Sequence, residues 1–304
     1  MNLTLTQSDQ PLAIGDFAIG DCRGAGENHE SGITNHKSQM KTVSSRQNPI
    51  VRAYRDLADE PDPSGARLLL DGAHLVREAQ AASLRFESVA AAMSHLAAAT
   101  EEGALAHELE RDGVEVVAVD DQVFNAMSPV HTPSGIVAIA QRHPTTAAAM
   151  FEQAGLFVLV VADVQDPGNL GSLLRVAEAG GVTGVIVCGD SANPFSWKAV
   201  RGSMGSVLRL PVARNQSLEQ TMTEIREAGA TAIAAVPRDG SDPDAADWSG
   251  RIALLLGGEG PGLDPRVIAE CNQRVSVPMA PPVESLNVAA AGAILVYAAR
   301  RSRP

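Results

Sequence analysis

Apolar positions divide the chain into stretches of different character. Residues 1–43 are rich in Gly, Asn, Ser and Asp and sustain no apolar period. They read as a disordered leader, or as sequence ahead of a natural start at Met40. From Asn48 the pattern changes: Ile50, Val51, Tyr54 and Leu57 recur at helical spacing, and Ala66–Leu70 form a short apolar run. Gly72–Ala82 is predicted as another helix, with Leu75, Val76 and Ala79 on one face. Val114–Val119 is predicted as a strand and is followed by the apolar stretch Val123–Met127. After the turn-rich segment SPVHTPSG, Gly135–Ala140 closes this part as a further strand. Short strands alternating with helices predict a small α/β domain over 44–142.

Residues 143–153 read as a linker containing a short helix, and beyond it the rhythm is stronger. Strands are predicted at Leu156–Ala162, Val182–Cys188, Val207–Leu210, Thr231–Val236, Ile252–Leu256 and Arg274–Val277. Helices are predicted at Leu170–Gly180, Ser196–Met204, Ser217–Ala228 and Asn287–Arg300. Strands followed by helices at this spacing imply a second α/β domain over 154–304, a mostly parallel sheet covered on both faces. No repeat of 20–50 residues is present.

Composition narrows the class of protein. The chain has 304 residues, 45% of them hydrophobic, which suggests two packed domains, allows one large one and rules out wholesale disorder. The longest apolar runs, such as Leu156–Ala162, are far short of the ~18–20 residues a membrane span needs. The start, MNLTLTQSDQ, has neither a basic nor an apolar signal region, and the three cysteines, Cys22, Cys188 and Cys271, are widely spaced. Those features predict a cytoplasmic protein with neither a disulfide framework nor a metal-ligand cluster. With 24 basic against 36 acidic residues the net charge is −12, which argues against a generic nucleic-acid binder. Locally, Lys41, Arg46, Arg52 and Arg55 occur with no acid among them, and arginine suits forked contacts to phosphate.

Three Gly- and Asn-rich segments sit at the C-terminal ends of predicted strands, the edge where open α/β sheets bind ligands. In the first, DVQDPGNLGSLLR, Asn169 stands at an N-cap position and Arg175 lies within two turns of it. A purely structural role would be a capped strand–turn–helix with a surface arginine. The second, LLLGGEGPGL, runs a strand into four glycines and one acid, Glu259; the bland reading is a glycine-rich turn with a solvated glutamate. In the third, VPMAPPVESLNVAAA, prolines stiffen the approach to an alanine-rich helix, with Ser285 as a candidate N-cap and Met279 as core packing. Neither G-x-G-x-x-G nor the P-loop pattern is present, which removes the nucleotide-dependent oxidoreductase reading.

Together, DPGNLGSLLRVAEAGGV, LLLGGEGPGL and VPM with SLNVAAA resemble the three ordered motifs of the SpoU (TrmH) family, RNA 2′-O-ribose methyltransferases of the SPOUT superfamily. The resemblance spans 163–291. Residues 44–140 are less specifically similar to the family's ribosomal-protein-like substrate-binding domain, through SSRQNPIVR, LLLDGAHLVREA and SPVHTPSGIVAIA. It implies an α/β fold with a C-terminal trefoil-knotted parallel sheet, a homodimer, and S-adenosylmethionine as methyl donor. By position it assigns donor binding to Gly257, Val277 and Leu286, with Gly258, Met279 and Ser285 near by. It makes Arg175 the essential residue at the ribose hydroxyl, with Asn169, Glu259, Ser285 and Asn287 orienting that arginine and the RNA. Because a guanidinium keeps its proton up to about pH 12, an arginine base is chemically awkward, and phosphate positioning and assisted deprotonation both stay open for Arg175. No metal is implied.

For the RNA partner, ribosomal RNA stands ahead of transfer RNA, and Arg46, Arg52, Arg55, Arg201 and Arg209 are the candidate contacts. Pro281 stands where many family members have glycine, and Ala289 where a serine is common. The alternative from another class is a non-catalytic RNA-binding or ribosome-assembly factor on the same fold. Asn169, Arg175, Glu259 and Asn287, all intact, argue against it.

Overall fold

The computed structural model describes residues 40–303, and the leader expected over 1–43 lies outside them as far as residue 39. Its last residues belong to the fold: Lys41–Val43 form β1, an edge strand. The chain continues through α1 (Pro49–Asp59), β2 (Arg67–Asp71), α2 (Ala73–Ala81), β3 (Arg85–Ala92), α3 (Met93–Ala97) and α4 (Glu101–Arg111). After β4 (Val116–Val119), α5 (Asp121–Met127) and β5 (Ile136–Gln141) it crosses the short helix α6 (Ala147–Phe151). The second half runs β6 (Phe157–Ala162), α7 (Pro167–Gly180), β7 (Gly184–Cys188), α8 (Trp197–Gly202), α9 (Ser206–Arg209) and β8 (Val212–Gln216). It ends with α10 (Leu218–Glu227), β9 (Thr231–Ala235), β10 (Ile252–Gly257), α11 (Pro265–Glu270), β11 (Gln273–Val275) and α12 (Val288–Ser302).

Two sheets organise these elements. The first, in order β1-β4-β3-β5-β2, is mixed: β4 pairs parallel with β1 and β3, whereas β5 runs antiparallel to β3 and β2. The second, in order β11-β9-β10-β6-β7-β8, is parallel throughout. Its central strands FVLVVA and IALLLG read as unbroken apolar runs because helices cover both of their faces. Every residue of β6 and β7 is buried.

The predicted strand at Val207–Leu210 is instead helix α9, and the strand begins two residues later at Val212. Gly205, at φ +91°, turns the chain into that helix, and a four-residue apolar run carries no period that separates strand from helix. Val123–Met127 lies in helix α5, opened by Asp120, whose carboxylate accepts from the Gln122 amide at 2.9 Å.

The two sheets meet through specific side chains. Phe195 lies over the Arg142 guanidinium, 5.1 Å from ring centroid to carbon, and Arg142 Nη2 donates to the Val212 carbonyl at 3.3 Å. Burial pushes the Arg142 pKa down to about 10. Arg209 ion-pairs with Glu78 on α2 and Glu178 on α7 at once. Among the described residues no helix is long and apolar enough to cross a membrane.

Candidate active site

The site forms where β6, β9, β10 and β11 end on one edge, because parallel strands deliver all their C-termini to the same side. After β6 the chain turns at Asp163, a non-glycine residue held at φ +58°. It enters α7 through Asp166, whose carboxylate accepts from the Asn169 amide at 2.7 Å, with Pro167 pre-set for the first turn. Asn169 is therefore not the N-cap its sequence position suggested. Standing at the third helical position, it has its side chain free for other partners.

Those partners come from the other two glycine- and asparagine-rich segments. Asn169 Nδ2 donates to Glu259 Oε1 at 2.6 Å, in the loop after β10. Asn169 Oδ1 accepts from Asn287 Nδ2 at 2.9 Å. Asn287, not Ser285, caps α12: its Oδ1 accepts from the amides of Ala289 at 2.9 Å and Ala290 at 3.3 Å. One continuous hydrogen-bonded chain thus joins a carboxylate, two amides and a helix N-terminus.

The glycines beside this chain allow backbones to approach closely. A Cβ on Gly258 would fall on the Asp163 carbonyl, and one on Gly257 on the backbone of Gly262 and Leu263. Both glycines are required by contact between protein segments, in addition to lining the cavity described next.

A cavity of about 400 Å³ opens against this network. Of the residues expected to hold a donor, Gly257, Gly258, Val277, Met279 and Leu286 all line it, and so do Glu259, Ser285 and Asn287. Its floor is apolar, with Leu256, Leu263, Ile268 and Leu295, and Glu259 is its one charged side chain among the described residues. Sequence reasoning missed the wall formed by Ala235, Val236 and Pro237. The signal was available: these residues end and follow a parallel strand, at the edge where open α/β sheets bind ligands.

Arg175 is exposed on α7 and lies outside the cavity lining. Its spacing of six residues from Asn169 turns it about 120° around the helix, so the two do not share a face. It shares one instead with Gly168 and Gly171, along which α8 packs; a Cβ on Gly171 would come within 2.6 Å of the Ala199 carbonyl.

The candidate RNA contacts divide. Arg46 precedes α1, Arg52 and Arg55 lie on its outer surface, and all three are exposed. Arg201 is exposed on α8 and acts electrostatically on Asp71 at the end of β2. Burial raises the Asp71 pKa, against hydrogen bonds from Ser128 at 3.1 Å and Ser134 at 3.4 Å and the charge of Arg201. Arg209 does not fit the RNA role, since Glu78 and Glu178 already hold its guanidinium.

Known proteins match both the sequence and the fold. The sequence model of the SpoU rRNA Methylase family matches residues 156–297. An uncharacterised tRNA/rRNA methyltransferase of Synechocystis sp. is 33% identical over 88% of this chain and 96% of its own length. The Bacillus subtilis 23S rRNA (guanosine(2553)-2′-O)-methyltransferase RlmP is 29% identical, over 85% of this chain and 98% of its own. Among solved structures, an AdoMet-bound rRNA methyltransferase from Sinorhizobium meliloti superposes with a TM-score of 0.74. It is 29% identical, covering 86% of this chain and 98% of that one.

Proposed function

This chain belongs to the SpoU (TrmH) family of methyltransferases, and from that premise we propose that it methylates a ribose 2′-hydroxyl of ribosomal RNA. It is an RNA 2′-O-ribose methyltransferase that uses S-adenosylmethionine. Relatives named for 23S rRNA, from Bacillus subtilis and Escherichia coli, favour ribosomal over transfer RNA.

The residues present suit the donor. A nucleoside needs an apolar slot of a few hundred Å³ with a few polar groups at its rim. The cavity, with Leu256, Ile268 and Met279 inside and Ser285 and Asn287 at the edge, has that character. When bound, the donor supplies a methyl group on a positively charged sulfur, so the protein need not activate the electrophile. Glu259 sets a negative charge beside that cavity, and its bond to Asn169 holds the carboxylate in one orientation.

What remains for the chain is to bring the hydroxyl into line and to ease loss of its proton. Arg175, charged and exposed beside the α7–α8 seam, is assigned the RNA backbone at the reacting ribose, where a guanidinium also favours the developing oxyanion. Exposed Arg46, Arg52, Arg55 and Arg201 are assigned phosphate contacts. In this reading residues 44–142 recognise RNA, 143–153 link, and 154–304 carry catalysis. The C-terminal segment, in this reading, threads the trefoil knot of the family. Two chains pair, in keeping with Ile294 and Tyr297 exposed at 43% and 42% on α12.

The observation that carries this reading is the Glu259–Asn169–Asn287 chain at the cavity. Its test is to map ribose methylation in RNA from cells lacking the protein and to restore the mark with purified protein and S-adenosylmethionine. One ribosomal 2′-O-methyl group lost and restored is the expected result; a mark lost only from transfer RNA, or none, overturns the assignment.

A further inference from the structure

The amino-acid end of S-adenosylmethionine carries a carboxylate and an ammonium on one carbon, and the cavity described above contains no cation to meet the first. Glu259 is its one charged side chain among the described residues. A second, more open chamber adjoins it and shares the wall residues Pro237, Val277 and Met279. There Arg238 and Glu284 face each other across the opening, Nη2 to Oε1, at 3.7 Å. Each is next in sequence to a residue that lines the cavity, Pro237 and Ser285 respectively.

Resting on the donor-cavity reading, we infer that the Arg238–Glu284 pair receives the donor's amino-acid end, Arg238 taking the carboxylate and Glu284 the ammonium. The pair is suited to opening. Its side chains are 67% and 84% exposed, and at 3.7 Å it is a contact of charges with no hydrogen bond to lose. A bound zwitterion replaces one weak pair by two, and a guanidinium can meet a carboxylate with a forked contact. The backbone presenting Arg238 is held in place beforehand. Asp239 sits at φ +61°, and the Gly240 amide donates to Ser276 Oγ at 2.8 Å. A Cβ on Gly240 would come within 2.6 Å of the Ser276 nitrogen, so this loop packs directly onto the segment following β11.

The rival role for the pair is a strut that merely joins two loops, and ligand truncation separates the two. Binding of three ligands to the full chain is measured by calorimetry: S-adenosylmethionine, its decarboxylated analogue, and methylthioadenosine, which lacks the whole amino-acid end. Arg238→Gln is expected to weaken S-adenosylmethionine roughly fivefold to tenfold and to leave the other two unchanged. Glu284→Gln is expected to weaken the two ligands that keep the ammonium and to spare methylthioadenosine. Equal weakening of all three ligands in either variant, or unchanged S-adenosylmethionine binding in both, overturns the inference. Ala291→Phe, which fills the cavity itself, is expected to abolish binding of every ligand. Retention of methylthioadenosine by Ala291→Phe would instead defeat the donor-cavity reading on which the inference rests.

Discussion

Asn169 donates to Glu259 at 2.6 Å although 90 residues separate them, and this single contact ties the loop after β6 to the loop after β10. The same amide accepts from Asn287, so both of its ends are committed and its orientation is fixed. Replacing it leaves a carboxylate and a cap residue each short of one partner. Asn169→Ala is expected to lower the methyl-transfer rate roughly tenfold or more, while thermal stability changes little because the residue is only half-buried. Steady-state kinetics beside a melting curve decide it; an unchanged rate would show that the network is structural only.

Arg175 is exposed and does not line the cavity, so removing its charge should not disturb donor binding. Arg175→Ala is expected to abolish methylation, keep S-adenosylmethionine affinity, and alter stability by no more than about 0.5 kcal/mol. Full activity in this variant would falsify its assignment at the ribose.

Gly258 touches the Asp163 backbone so closely that any side chain must push the two loops apart. Gly258→Ala is expected to destabilise the fold by more than about 2 kcal/mol, as overpacked sites do, and to weaken donor binding with it. Chemical denaturation and calorimetry on the same preparation check both effects. A stability equal to that of the unaltered protein would mean that the contact can relax.

Asp71 supplies a pH dependence. Its folded pKa is raised above the ordinary 3.8, first by desolvation, so the folded state binds the proton more tightly than the unfolded chain. Stability is therefore lost as pH rises from 3.8 through the raised value. The loss is then constant at neutral pH. Asp71→Asn removes this titration and keeps an oxygen for Ser128 and Ser134. The variant is expected to gain on the wild type as pH rises through that window, which melting temperatures from acid to neutral pH would reveal. A difference that does not vary with pH would contradict the assignment.

Several elements were legible for local reasons. The fully apolar runs of β6 and β10 and the helical spacing of Ile50, Val51, Tyr54 and Leu57 are periodic over single elements, and the structure has those elements. Strand β3 was not legible: RFESVAAA alternates only in its first half and then runs through alanines, which favour a strand only when neighbouring strands bury them. Helix α4, EEGALAHELER, was also missed. It carries a glycine near its start, and that glycine packs too closely on the His95 carbonyl to be replaced. At α7 two residues competed for the cap, and Asp166 took it with Pro167 behind it, which freed Asn169.

By itself the sequence determined the two α/β regions, the candidate ligand edge of the second, and the residue types gathered along it, because each of their elements is written within ten or fifteen consecutive residues. Tertiary structure alone decided which of those residues meet. Parallel strands β6, β10 and β9 bring their C-terminal ends to one edge, and that register closes the bonds from Asn169 to Glu259 and Asn287 across 90 and 118 residues. It likewise committed Arg209 to two carboxylates and left Arg175 free of the cavity. Helical spacing sets which face a side chain occupies, but what lies opposite that face depends on how distant segments pack.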